Sequence, residues 1–200
     1  MIRHTVAVLG LAAVFAGCSK KDAGTADTGM MAGDTGAVAT MADTSMVNTP
    51  AAALSDANIF YLLDRANMMD SSGGSIASTK GTSSEVRDFG QRMMRDHHSL
   101  RQQGADLAKK LNITPEAPAN DTTQAHMDKM MSTLNGAAKG RDFDKAYIDG
   151  EIEAHKAVLE MATAAASAAQ SADLKNLIQK AAPAIQAHLD LAQQIQGRLK

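Results

Sequence analysis

The 200 residues carry 20 Lys and Arg against 22 Asp and Glu, a net charge of −2 at pH 7. That is enough chain for one ordinary domain with something left over, and it lacks the cationic excess that nucleic-acid phosphates require. Aromatic residues make up 3 %, Trp is absent and there is one Cys, which excludes a β-sandwich, an aromatic-walled carbohydrate site, a disulfide framework and a Cys-cluster metal site. Abundant Ala and 13 Met suit helices packed with flexible apolar side chains.

Residues 1–17 predict a signal peptide. Arg3 supplies the positive start, and Val6 to Ala16 is an apolar run too short to span a bilayer, which takes about 20 residues. The run ends in Phe15-Ala16-Gly17-Cys18, which resembles a bacterial lipobox with Phe15 where Leu is usual. On that resemblance Cys18 is the lipidated mature N-terminus and acyl chains tie the protein to a membrane. The alternative is an ordinary cleaved signal with a chance cysteine. Ser19 after the cysteine resembles the sorting signal for the outer membrane, so the expected location is the cell envelope, facing the periplasm.

Residues 18–53 read as a low-complexity tether. Beyond Cys18 they contain no Leu, Ile or aromatic residue and cannot bury enough surface to offset their ordering entropy. Asp27-Thr28-Gly29 recurs as Asp34-Thr35-Gly36 and, decayed, as Asp43-Thr44-Ser45. Met30, Met31, Met41 and Met46 lie in this arm, either as soft Cu(I) ligands or as compositional drift.

Residues 54–200 predict an all-α domain. After Ser55 as cap, Ile59, Leu62, Ala66, Met69 and Gly73 form one helical stripe, with a kink or local unwinding expected at Ser71-Ser72-Gly73-Gly74. Thr82-Ser83-Ser84-Glu85 has capping-box spacing and opens a helix with the stripe Val86, Phe89, Met93, His97, Leu100, Gly104, Leu107 and Leu111. Pro115 and Pro118 mark a loop, and a short helix from about Asp121 to Gly136 turns Met127, Met130, Met131 and Leu134 inward. Asp142 is expected to cap a long helix bearing Phe143, Tyr147, Glu151, His155, Val158 and Ala162. Ser171 caps the last, whose stripe of Leu174, Ile178, Ile185, His188, Ala192 and Ile195 stays in phase through Pro183. The expected architecture is a four-helix up-and-down bundle with one long crossover and a short extra helix.

His97, His155 and His188 each occupy a stripe position on a different helix, while His98 and His126 fall off the stripes and should be solvated. Asp70 follows Met69 on the first seam, and Glu151 lies one turn before His155 on the same face. Asp96 points nearer the seam edge. Unpartnered buried carboxylates and imidazoles cost several kcal/mol, about enough to forbid chance placement. Two arrangements satisfy them. Asp70, His97, Glu151, His155 and His188 converge on one transition-metal ion (Zn, Fe, Mn or Cu), or they form buried hydrogen-bonded pairs such as His97 with Glu151. Ligation requires their atoms to approach a common point within about 4–5 Å. Met93 and Met94 are soft-metal candidates or core filler. No phosphate-binding loop or nucleophile elbow is present, and neither a catalytic residue nor a small-molecule substrate is identifiable.

Glu85-Val86 with Phe89, Met93 with Asp96-His97, Phe143-Asp144 with Tyr147, His155, and Pro183 with His188-Leu189 follow in the order of a known family. The chain resembles the bacterial domain-of-unknown-function family 4142 over about residues 54–195. The resemblance implies an envelope protein with a ferritin-like helical bundle and no settled activity. Asp70 stands where that family usually has Glu, and Ser71-Ser72 where it is more apolar. The two Glu-x-x-His pairs of ferritin-like di-metal enzymes are absent, which argues against a di-iron oxidase or an iron store. The Met–His run also resembles small periplasmic copper-binding bundles. The sequence thus supports an envelope lipoprotein holding one metal ion in its bundle core, with two alternatives: a non-catalytic structural or stress-associated module with a hydrogen-bonded polar core, and a Met/His copper binder.

Overall fold

In a computed structural model of the chain, residues 54–199 are described, and they are helical with no strand among them. The signal peptide, Cys18 and the Met-bearing tether lie outside the described residues. The helices are α1 (Asp56–Lys80), α2 (Ser84–Lys110), α3 (Thr123–Gly136), α4 (Arg141–Ala168) and α5 (Ala172–Arg198). None of them is long and apolar enough to cross a membrane.

Two antiparallel hairpins, α1–α2 and α4–α5, build the bundle. Gly74 meets Gly90 near the α1–α2 turn, and Arg101 reaches Asp64 toward the other end. Arg198 pairs with Glu85 and Lys110 with Asp173, so α5 also runs antiparallel to α2. The crossover, carrying α3 alongside α1, returns the chain to the end where α2 began; α2 and α4 therefore run the same way. Its loop is held by Asn58 Nδ2 donating to the Glu116 carbonyl, and α3 by Lys80 Nζ donating to the Leu134 and Asn135 carbonyls.

Local chemistry sets the helix starts, in part differently from the sequence reading. Ser55 caps α1 in a reciprocal box with Asn58, and the Ser171 hydroxyl accepts from Leu174 N–H. At α2 the expected capping box does not form, since Ser83 makes no side-chain cap bond. The Asp144 carboxylate of α4 takes that place, accepting from Thr82 N–H at 2.9 Å and Ser83 N–H at 2.7 Å, and from the Thr82 hydroxyl. The α4 cap position is Gly140, with Asp142 inside the first turn where its charge favours the helix dipole. Helix α5 continues unbroken through Pro183, whose residue is exposed.

The expected unwinding at Ser71–Gly74 is absent: α1 is continuous there, and both glycines are buried. A Cβ on Gly74 would lie 2.6 Å from the Gly90 carbonyl oxygen, and one on Gly90 equally close to the Gly74 oxygen. These glycines let two helix backbones touch, which offsets their poor helix propensity.

Apolar clusters fill both ends. Val86, Phe89, Met93, Leu134, Phe143, Tyr147, Ile148 and Ile195 occupy one, and Ile59, Phe60, Leu62, Ala162, Leu174 and Ile178 the other. Between them, beside Ala66, Val158 and Ile185, lies a layer of buried polar groups.

Candidate metal centre

That layer contains Asp70 from α1, His97 from α2, Glu151 and His155 from α4 and His188 from α5, all buried. Each long helix contributes because each carries its polar residue in phase with the apolar stripe. The His97, His155 and His188 ring centres stand 5.2–5.6 Å apart. One ligand atom from each imidazole lies within 4.8 Å of the other two, and the same holds for Asp70, Glu151 and His155. The approach required for ligation is therefore met within each of two triads that share His155.

Each imidazole has one nitrogen engaged. His97 Nδ1 lies 2.8 Å from Asn67 Oδ1, and Asn67 Nδ2 donates to the Leu63 carbonyl, so the imidazole N–H is the donor to Asn67. His155 Nδ1–H donates to the Glu151 backbone carbonyl at 2.9 Å, and His188 Nε2–H donates to Asp96 Oδ2 at 2.9 Å. In the neutral rings these bonds leave lone pairs on His97 Nε2, His155 Nε2 and His188 Nδ1, all buried without a partner. Metal-ligating histidines are held in this way, one N–H fixed by a carbonyl or carboxylate so that the other nitrogen is free to bond.

The electrostatics favour the neutral form of His97 and of His188. Burial pushes His97 below its usual value, against Asp70 and helped by His155 and His188. Burial likewise lowers His188, against its hydrogen bond to Asp96. Burial first and the Asp70 charge second push Glu151 well above the usual carboxylate range. The Tyr147 hydroxyl is pushed up by burial and by Glu151. Asp70 Oδ2 lies 3.4 Å from His97 Nδ1, and Glu151 Oε2 lies 3.5 Å from His155 Nδ1.

The pairing of His97 with Glu151 expected as a hydrogen-bonded alternative is not what forms; the nearest carboxylate to His97 is Asp70, because Glu151 lies a turn away beside His155. His98 is exposed as expected, whereas His126 is half-buried on α3 rather than solvated. Met93 sits in the apolar cluster with Phe89 and Tyr147, and Met94 is half-buried. The reading of the sequence missed Asn67 and the role of Asp96. Asn67 precedes Asp70 by three residues and so shares its helix face, the signal by which it was findable.

Fold and site together define a helical bundle with a buried histidine–carboxylate centre. The sequence profile of the domain of unknown function DUF4142 matches residues 40–195, and the chain belongs to that family. The match begins within the segment read as a tether. No curated protein and no solved structure matches the chain.

Proposed function

We propose that the protein is a cell-envelope lipoprotein whose bundle holds one transition-metal ion on His97, His155 and His188, with Asp70 and Glu151 supplying carboxylate oxygen. The observation that carries this reading is the set of three buried, unpartnered imidazole nitrogens on rings whose other nitrogens are already engaged. Hydrogen bonding within the protein leaves those lone pairs unsatisfied, and one proton serves two of them at most. A cation serves all three. An ion bonded to imidazole at ~2.0–2.1 Å lies ~3.2 Å from the ring centre, so tetrahedral neighbours are centred roughly 5 Å apart. The observed spacing of 5.2–5.6 Å matches this. Imidazole and carboxylate together suit Zn, Fe, Mn or Cu.

Metal analysis of protein purified without chelator or affinity tag tests the reading, with His97→Ala and His188→Ala as comparisons. One ion per chain in the wild type and a clear loss in both variants is expected. Stoichiometry near zero, with a melting temperature unmoved by added Zn, Mn, Fe(II) or Cu, leaves only a structural module. The anchor is tested by labelled palmitate: incorporation that Cys18→Ser abolishes is expected, and a wild type without label contradicts lipidation. Copper uptake by the methionine arm is a separate outcome, read by deleting residues 23–49.

A further inference from the structure

A cavity of ≈ 110 Å³ lies between α1, α2, α4 and α5, with the Asn67, Asp70 and His97 side chains in its lining. Its walls are apolar, among them Phe60, Leu63, Leu100, Leu177 and Ile185. We propose that this cavity binds a small uncharged apolar molecule, seated against the Asp70 carboxylate and the His97 ring. It would thereby define the substrate class that approaches the metal position.

Size, charge and position each support this occupant. Apolar cavities of about 150 Å³ take up benzene or xenon, and this one is of that order. The one cationic group in the wall, Arg101, is bonded to Asp64 through Nε at 2.7 Å, which leaves it committed to that carboxylate. An anion would face Asp70 with no free counter-charge. A cation would lose its hydration among aliphatic walls and would compete with the ion for the same carboxylate. A neutral apolar molecule meets neither obstacle. Position links the cavity to chemistry, since its lining includes two of the five side chains assigned to the ion. Gly104 of α2 lines the cavity, and a Cβ there would meet nothing within 4 Å.

The link to the ion rests on the metal reading above, whereas the cavity itself is testable without metal. Metal-free protein is titrated with xenon and with benzene, followed by side-chain methyl resonances of Leu100 and Ile185. Saturable shifts are expected in the wild type. A loss of apparent affinity of tenfold or more is expected in both Gly104→Leu, which fills the cavity from α2, and Ala181→Leu, which fills it from α5. Benzylammonium and benzoate should bind at least tenfold more weakly than benzene. Shifts that rise linearly without saturation, that survive both variants, or that are matched by either charged probe overturn the proposal. In cobalt(II)-loaded protein, benzene should shift the visible absorption bands with the same saturation curve. A cobalt spectrum that ignores a bound benzene removes the link to the ion. A protein that holds no cobalt overturns the metal reading, while the xenon arm still decides the cavity.

Discussion

His188 of α5 is held by a residue on α2, its Nε2–H donating to Asp96 Oδ2 at 2.9 Å. The histidine is 2 % exposed and the aspartate side chain 42 %, so a carboxylate at the surface reaches inward to fix the tautomer of a buried ring. Loss of such a partner typically costs about 10–100-fold in metal affinity. Asp96→Ala should weaken zinc binding by about that factor in calorimetric titration, and Asp96→Asn, which keeps an acceptor oxygen, by less. Equal affinity in wild type and Asp96→Ala would show that the bond does not orient a ligand.

Asp144 ties the start of α2 to α4 through the Thr82 and Ser83 amides and the Thr82 hydroxyl. It is 2 % exposed. Asp144→Ala removes a charge-assisted cap and leaves those donors without it; the expected loss is about 2 kcal/mol or more in denaturant unfolding. A loss below roughly 0.5 kcal/mol would mean that water replaces the carboxylate.

Gly73 and Gly74 are adjacent in sequence and opposite in tolerance. A methyl on Gly73 would sit 3.6 Å from Glu151 Oε1 and Leu134 Cδ1, ordinary contact, whereas one on Gly74 would strike the Gly90 carbonyl and Met93 Cβ. Gly73→Ala should leave thermal stability unchanged or slightly raised, since Ala gains about 1 kcal/mol in helix propensity. Gly74→Ala forces the helix backbones apart and should cost roughly 1–3 kcal/mol.

Opposing pH dependences follow for the metal-free protein. His97 and His188 are depressed from 6.5 by burial, so the unfolded chain takes up protons there that the folded one refuses. Their contribution to stability is present above that value and falls away as pH drops below it. Glu151 is raised above 4.5 by burial and Asp70, so the folded chain keeps a proton that the unfolded chain releases. Stability from Glu151 is therefore present below 4.5 and is lost as pH rises toward its folded value. Glu151→Gln removes only the second effect. Its melting temperature, metal-free, should exceed that of the wild type by a few degrees near neutral pH, and the gap should close toward pH ~4.5. A gap independent of pH would contradict the assignment of the buried proton to Glu151.

Much of this organisation was legible in sequence because polar residues in phase with an apolar stripe must enter the core. His97, His155, His188 and Glu151 follow that rule, and all are buried. Partners across helices were not legible. Asp96 sits off the stripes, and Asp144 caps a helix sixty residues earlier in the chain through contacts that local spacing does not encode. The glycines misled for a related reason. In isolation Ser71-Ser72-Gly73-Gly74 weakens a helix, and only the neighbouring Gly90 turns the missing side chain of Gly74 into close packing.

X-ray absorption at the metal edge of zinc- or cobalt-loaded protein addresses the central claim most directly. One ion per chain with three imidazole nitrogens at about 2.0–2.1 Å and oxygen completing the shell is the predicted spectrum. An ion with fewer than two imidazoles, or one displaced by mild washing and unaffected by His97→Ala, would contradict it.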